Sequence, residues 1–396
     1  MTYLSKLVIE NFKAIRKSGT LFMRPLTVFI GNNGSGKSSV IEALETYQKI
    51  VLEGVDAAMQ PFLGFEYVRH LEARGRLTQA AIEDPGRQVS PVIFRIAVHD
   101  RSAVPVHLDM QINSRAGDNV LYIQHEEVRR GREHFLRDPI DAAQTVGEGR
   151  SMVFRHPALT DLLEDVRRWQ FVFLEPQAMG RPRAQRRSGG KILLNRDGSN
   201  LAEYLLDIRD RNQTVFEEIV EAMQFILPYA ADVRPASAMG LERQVFLEMI
   251  EREMRIPGWM LSTGTLRALA LIALLRDPDP PPLILIEELE NGLDPRTIGL
   301  IVEEIRLATS SKRTQVVATT HSPYLLDSLD VDDLIVVERD ENGYPRFYRP
   351  KANRDLDAWR KRFTPGRLYT MGLLRQRIAQ PTGEDLSPET PEGGWG

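Results

Sequence analysis

Eight residues early in the chain narrow its architecture more than any other segment: Gly31, Asn32, Asn33, Gly34, Ser35, Gly36, Lys37 and Ser38. The run fits G-x-x-x-x-G-K-[ST], a phosphate-wrapping loop that a strand must feed and that must open a helix. Both flanks comply. Leu26 to Ile30 is a strand running straight into the glycines, and Ser38 to Leu52 has the apolar spacing of a helix. Glycines 31, 34 and 36 permit the φ values and close backbone approach that wrapping a phosphate demands. The backbone N–H groups then point inward at a helix N-terminus, where the peptide dipoles favour an anion. In such a loop Lys37 reaches the β- and γ-phosphates as a point charge, and the Ser38 hydroxyl ligates Mg2+. The candidate nucleotide contacts are therefore Gly31, Asn32, Asn33, Gly34, Ser35, Gly36, Lys37, Ser38 and Ser39.

A second constraint stands far downstream. Leu283 to Glu288, L-I-L-I-E-E, is an apolar strand that ends in two carboxylates. A buried strand ending this way delivers acids to the carboxyl edge of a sheet, where open α/β folds bind ligands. Glu287 then takes the Mg2+ side, and Glu288 is placed to orient an attacking water. Alone, the pattern also fits a strand ending in solvated carboxylates; behind a phosphate loop it reads as catalytic. Gln315 to Thr319 is another central-strand run, and His321 follows it within T-T-H-S-P.

Between these landmarks the chain changes character. Leu4 to Glu10 reads as a strand, and Pro91 to His99, Val106 to Asn113 and Val120 to Arg129 as antiparallel strands. Phe171 to Leu174 is a short buried strand, followed by a basic loop from Arg181 to Lys191. That loop fits a solvated surface or a phosphate-backbone contact, and it lacks the interleaved aromatics of a single-strand binder. Asn200 to Leu227 reads as two helices broken near Asn212, and Leu266 to Leu275 as an apolar helix stopped by prolines. Residues 377–396, rich in proline, glycine and acids, are expected to form a disordered tail. No heptad run supports a long coiled-coil arm.

With 396 residues, 42% hydrophobic and a net charge of -4, the chain can bury a core but cannot coat nucleic acid uniformly. It has no cysteine, which excludes disulfides, thiolate zinc sites and Cys nucleophiles. No apolar run reaches the roughly 18 residues of a membrane span, and the first residues alternate rather than form a signal peptide. The composition predicts a soluble, cytoplasmic protein. Histidines 70, 99, 107, 125, 134 and 156 show no ligand spacing.

Taken together, these segments resemble the ABC-ATPase branch that contains RecF, the SMC-like repair ATPases and the OLD-type defence ATPases. L-V-I-E-N-F-K-A-I at Leu7 to Ile15 is similar to that group's first strand and loop, where Lys13 and Arg16 are candidates for nucleotide contact. L-S-T-G-T-L-R at Leu261 to Arg267 resembles the signature motif, which implies that Ser262 and Gly264 contact the γ-phosphate held by another subunit. Ser262 also suits a helix N-cap, and both roles are compatible. E-N-G-L-D-P at Glu290 to Pro295 resembles the D-loop, T-T-H-S-P places His321 as the switch histidine, and F-V-F-L-E-P-Q is similar to the strand leading to a Q-loop glutamine, Gln177, on the metal. Four departures are informative. The first acid is Glu287 rather than Asp, and the signature is shorter than in transporter ATPases. About 85 residues between Gln177 and Ser262 are too few for SMC-type arms, and about 75 after His321 too few for a Toprim nuclease domain.

The resemblance implies an α/β P-loop NTPase with an ABC-type, two-lobed head. A nucleotide-binding lobe (1–198 and 277–376) with an added antiparallel sheet would carry a helical signature lobe (199–276). It further implies ATP and Mg2+ as cofactors, hydrolysis assisted by Lys37, Glu288 and His321, metal contacts from Ser38, Glu287 and Gln177, and a head-to-tail homodimer closed by ATP. The expected setting is DNA repair or anti-phage defence, with DNA and a separately encoded effector or nuclease as candidate partners. A slow nucleotide-dependent scaffold and a transporter ATPase subunit are the alternatives.

Overall fold

Alternating burial along β1 (Tyr3–Phe12) starts the fold as one strand of an antiparallel sheet. The structure is a computed structural model that describes residues 2–70, 90–114, 120–137, 149–185, 190–238, 244–350 and 362–374. Strands are numbered along the chain. β1 pairs with β2 (Ile15–Lys17), β3 (Leu21–Phe22) and β5 (Val92–His99), and β6 (Pro105–Ser114), β7 (Leu121–Arg130) and β8 (Glu133–Leu136) extend the sheet as a meander. The expected tail at 377–396 lies outside the described residues.

A second, six-stranded sheet carries the site. Its order is β17 (Pro345–Tyr348), β16 (Leu334–Arg339), β4 (Leu26–Ile30), β15 (Gln315–Thr320), β14 (Leu283–Ile286) and β9 (Gln170–Val172). All pairs are parallel except that of β16 with β17. Such a sheet needs cover on both faces, and its apolar strands supply two sets of side chains. Leu26, Val28, Ile30, Ile284, Ile286, Val316 and Ala318 join one core with α2 (Leu201–Arg211), α3 (Gln213–Ile226), α4 (Thr263–Arg276) and α5 (Pro295–Ser310). Phe29, Leu283, Leu285, Val317 and Val337 join another with α1 (Lys37–Glu53) and the first sheet. Buried Gln315 fastens the two sheets: its side chain accepts from Leu4 N–H and donates to the Leu4 carbonyl, each at 2.8 Å.

The segment between α3 and α4 differs from the helical expectation. β11 (Ala230–Ala238), β12 (Gln244–Glu251) and β13 (Met254–Pro257) form an antiparallel sheet there, joined by β10 (Arg183–Ala184). β11 reads A-A-D-V-R-P-A-S-A, a poor strand former with a proline, but it lies at the edge and pairs along its length with β12. Cross-strand pairing outweighs propensity, and an edge tolerates the missing N–H. The break between α2 and α3 falls at Asn212, whose side chain caps α3 by accepting from Val215 N–H. Fully buried Asp277 accepts from Tyr204 at 2.6 Å and Arg211 at 3.1 Å, tying α2 to the end of α4.

Candidate nucleotide site

Strand register brings the landmarks to one edge of the sheet. Ile30 pairs with Thr320, Ala318 with Ile286, and Ile286 with Val172. Gly31 and His321 therefore leave the sheet at one level, and Glu287 and Phe173 two residues earlier, all at its carboxyl edge. Thr319 laces this edge together: its Oγ1 accepts from Glu288 N–H at 3.0 Å, and its carbonyl from Leu289 N–H at 3.1 Å.

The loop needs its glycines. A Cβ on Gly31 would lie 2.2 Å from the Val337 carbonyl oxygen, and Gly36 enters α1 with a φ of 107°. Lys37 is only 8% exposed, and its Nζ donates to the carbonyls of Gly31 at 2.7 Å and Asn32 at 2.9 Å. Burial pushes its ammonium below the ordinary lysine range, while the carboxylates of Glu288 and Glu290 pull the other way. Asn32, Asn33, Gly34 and Ser38 are exposed, whereas Ser35 and Ser39 are buried. Arg339 of β16 buttresses the crest by donating to the Gly34 carbonyl at 2.7 Å and 2.9 Å.

The acids differ in environment. Glu287 is largely buried, and Arg196 reaches it at 3.2 Å and Glu45 of α1 at 3.4 Å. Burial raises its carboxyl above the usual range; Arg196 opposes this, and Glu42, Glu45 and Glu288 add to it. Glu288 sits at φ 48°, a left-handed turn that a non-glycine residue adopts at a cost of order 1–3 kcal/mol. Among the described residues no three His, Asp or Glu side chains gather into a metal cluster. An exposed hydroxyl at Ser38 with a buried carboxylate at Glu287 still suits Mg2+, which keeps few protein ligands and completes its shell with phosphate and water.

Glu290, the first residue of the E-N-G-L-D-P run, joins this edge in a role that the run itself does not announce. Its Oε1 accepts from the backbone N–H of His321 at 2.8 Å and lies 3.1 Å from the ring Nδ1. The signal was present in the sequence as a third acid two residues past Glu288, but only the sharp turn at Glu288 aims it at His321.

The signature segment meets the same turn from the other side. Ser262 caps α4, its Oγ accepting from Thr265 N–H at 3.1 Å. A Cβ on Gly264 would meet the Gly292 carbonyl at 2.7 Å. Arg267 donates to the carbonyls of Leu174 at 2.7 Å and Asn291 at 3.0 Å. Other candidates are less engaged. Gln177 is exposed on a short helix after β9 and makes no side-chain hydrogen bond among the described residues. Lys13 is held by Glu42 of α1 at 2.6 Å, and the Arg16 guanidinium lies over the Tyr344 ring. In the basic loop Arg183 donates to Ser199, Lys191 pairs with Asp279 at 3.1 Å, and Arg186 and Arg187 lie outside the described residues.

Comparison with known proteins bears on the family and the fold. Residues 2–49 match the "AAA ATPase domain" family. The crystal structure of an SmcHead bound to the C-winged helix domain of ScpA superposes with a TM-score of 0.52 at 14% identity, over 87% of this chain and 97% of that one. The Smc head domain with an extended coiled coil bound to the C-terminal domain of ScpA, from Pyrococcus furiosus, gives 0.50 at 12% identity, over 91% and 100%. At such identities the likeness is one of fold. No curated protein matches the sequence. Residues 108–327, more than half of the chain, match the family described as "AAA domain, putative AbiEii toxin, Type IV TA system", so this chain is a member of that family, built as an ABC-type, SMC-like P-loop ATPase head.

Proposed function

We propose that the chain binds ATP with Mg2+ and hydrolyses it as a switch, each nucleotide lying between the phosphate loop of one copy and Ser262 and Gly264 of a second. The observation that supports this best is the shared sheet edge, where the loop after β4, the acids after β14 and His321 after β15 emerge from neighbouring parallel strands. Gly31 to Ser39 cradle the phosphates, and Lys37 leaves its own loop carbonyls for the β/γ-phosphates. Ser38 and Glu287 would hold Mg2+, with Gln177 as a further proposed ligand; the ion supplies neutralising charge on the phosphate oxygens. Glu288 accepts the proton of the water that attacks the γ-phosphorus in line with the departing ADP oxygen, and His321 faces the transferred group. Loss of the γ-phosphate removes the group shared between copies, so the dimer opens.

Glu288→Gln keeps size and hydrogen bonding but cannot act as a base. It should bind ATP normally, turn over at least about 100-fold more slowly and elute as a dimer when loaded with ATP. Wild-type turnover in this variant would sink the assignment and move the base to Glu287.

The proposed setting is DNA repair or anti-phage defence in the cytoplasm, with the switch gating DNA or a separately encoded effector or nuclease. Two findings favour it over transport: the toxin wording of the family description, and SMC heads crystallised with ScpA. Among the described residues no helix is long and apolar enough to cross a membrane. A slow scaffold is the other reading; an ATPase rate that duplex DNA leaves unchanged would favour it.

A further inference from the structure

We propose that Glu290 is a positioning residue that sets the tautomer and aim of His321. The inference rests on the reading of His321 as the group facing the γ-phosphate. One carboxylate oxygen, Oε1, accepts the backbone N–H of His321 at 2.8 Å and lies 3.1 Å from its ring Nδ1, within ion-pair range. The hydrogen bond fixes the His321 peptide against Glu290, and the same carboxylate oxygen is the one that Nδ1 approaches. A carboxylate accepts only, so its approach favours the proton on Nδ1 and leaves Nε2 for chemistry. The His321 side chain is 49% exposed, whereas Glu290 is 8% exposed: the histidine faces the open site and its anchor lies behind it.

The other oxygen sharpens the argument. Glu290 Oε2 is buried and has no hydrogen-bond partner among the described residues. Structural carboxylates are normally satisfied, and an orphaned acceptor is costly to keep. Its charge reaches the Lys37 ammonium, as does that of Glu288. Glu290 thus stands between the two groups assigned to the γ-phosphate, bound to one and felt by the other. Its place depends on the left-handed turn at Glu288, which sends residues 288 and 290 to the same edge. Behind metal-bound imidazoles such outer carboxylates typically account for about 10- to 100-fold in affinity or activity, and the same scale is expected here.

The test combines a double-mutant cycle with a direct reading of the ring. Glu290→Ala and His321→Ala should each lower kcat about 10- to 100-fold with little change in ATP affinity, and the double variant should fall no further than His321→Ala alone. Glu290→Gln guards against misfolding, since its amide oxygen can replace Oε1; it should keep the wild-type Tm and recover part of the loss. In 15N-histidine spectra, the resonances of His321 should report Nδ1–H with an unprotonated Nε2 in the wild type, and lose that pattern in Glu290→Ala. Additive losses in the double variant, or a ring pattern indifferent to residue 290, would overturn the proposal. If His321→Ala turns over normally, the reading of His321 fails, yet the spectra still decide what Glu290 does to the ring.

Discussion

At the residue scale, the site is built from charges held in unfavourable surroundings. Lys37 is buried against its own loop, and Glu287 is largely buried with the charges of Glu42, Glu45 and Glu288 acting on it. Because the folded chain holds the Glu287 proton more tightly than the unfolded chain does, ionising it costs stability. That loss sets in as pH rises from the ordinary carboxylate range through the raised value, and it persists above. Glu287→Gln should therefore melt no lower than the wild type at neutral pH, with the difference vanishing in acid. It should also lose Mg2+-dependent turnover by at least about 100-fold. Thermal melts across pH together with a phosphate-release assay check both halves. A lower Tm at neutral pH would show that the ion pair with Arg196 outweighs the burial. Lys37, Glu288 and His321 were legible in the sequence because their motifs name them. The contacts of Glu290 with His321 and of Arg196 with Glu287 were not, since each depends on a backbone turn or a distant partner that spacing does not encode.

At the scale of elements, the six-stranded sheet was the most legible part. β4 and β14 coincide with the apolar runs Leu26 to Ile30 and Leu283 to Ile286, because a strand covered on both faces needs unbroken hydrophobicity. The strands of the signature lobe were hidden, since β11 gains its order from β12 rather than from its own residues. The phosphate loop shows how tightly elements meet. Gly31 passes under the backbone of β16, where an added methyl would lie 2.2 Å from the Val337 carbonyl oxygen. Gly31→Ala should destabilise the chain by about 1–3 kcal/mol and weaken ATP binding by displacing the loop. Denaturant titration and nucleotide titration measure the two effects; unchanged values in both would mean that β16 yields freely.

At the scale of the whole molecule, two cores sandwich one sheet, and the signature helix α4 belongs wholly to one of them. Ten of its residues are buried, so it moves with the sheet or not at all. Its contact with the turn after Glu288 then has a consequence that is statistical rather than structural. Gly264 presses on Gly292, and Arg267 holds Asn291, three residues past Glu288. In the proposed pair, the helix that touches one nucleotide is thereby braced against the acids that serve the other, so neither site can complete its cycle alone. Turnover becomes a joint event. When wild-type chains are diluted with Glu288→Gln chains at constant total protein, the rate should follow the square of the wild-type fraction and not the fraction itself. A linear decline would mean that the two sites keep separate time.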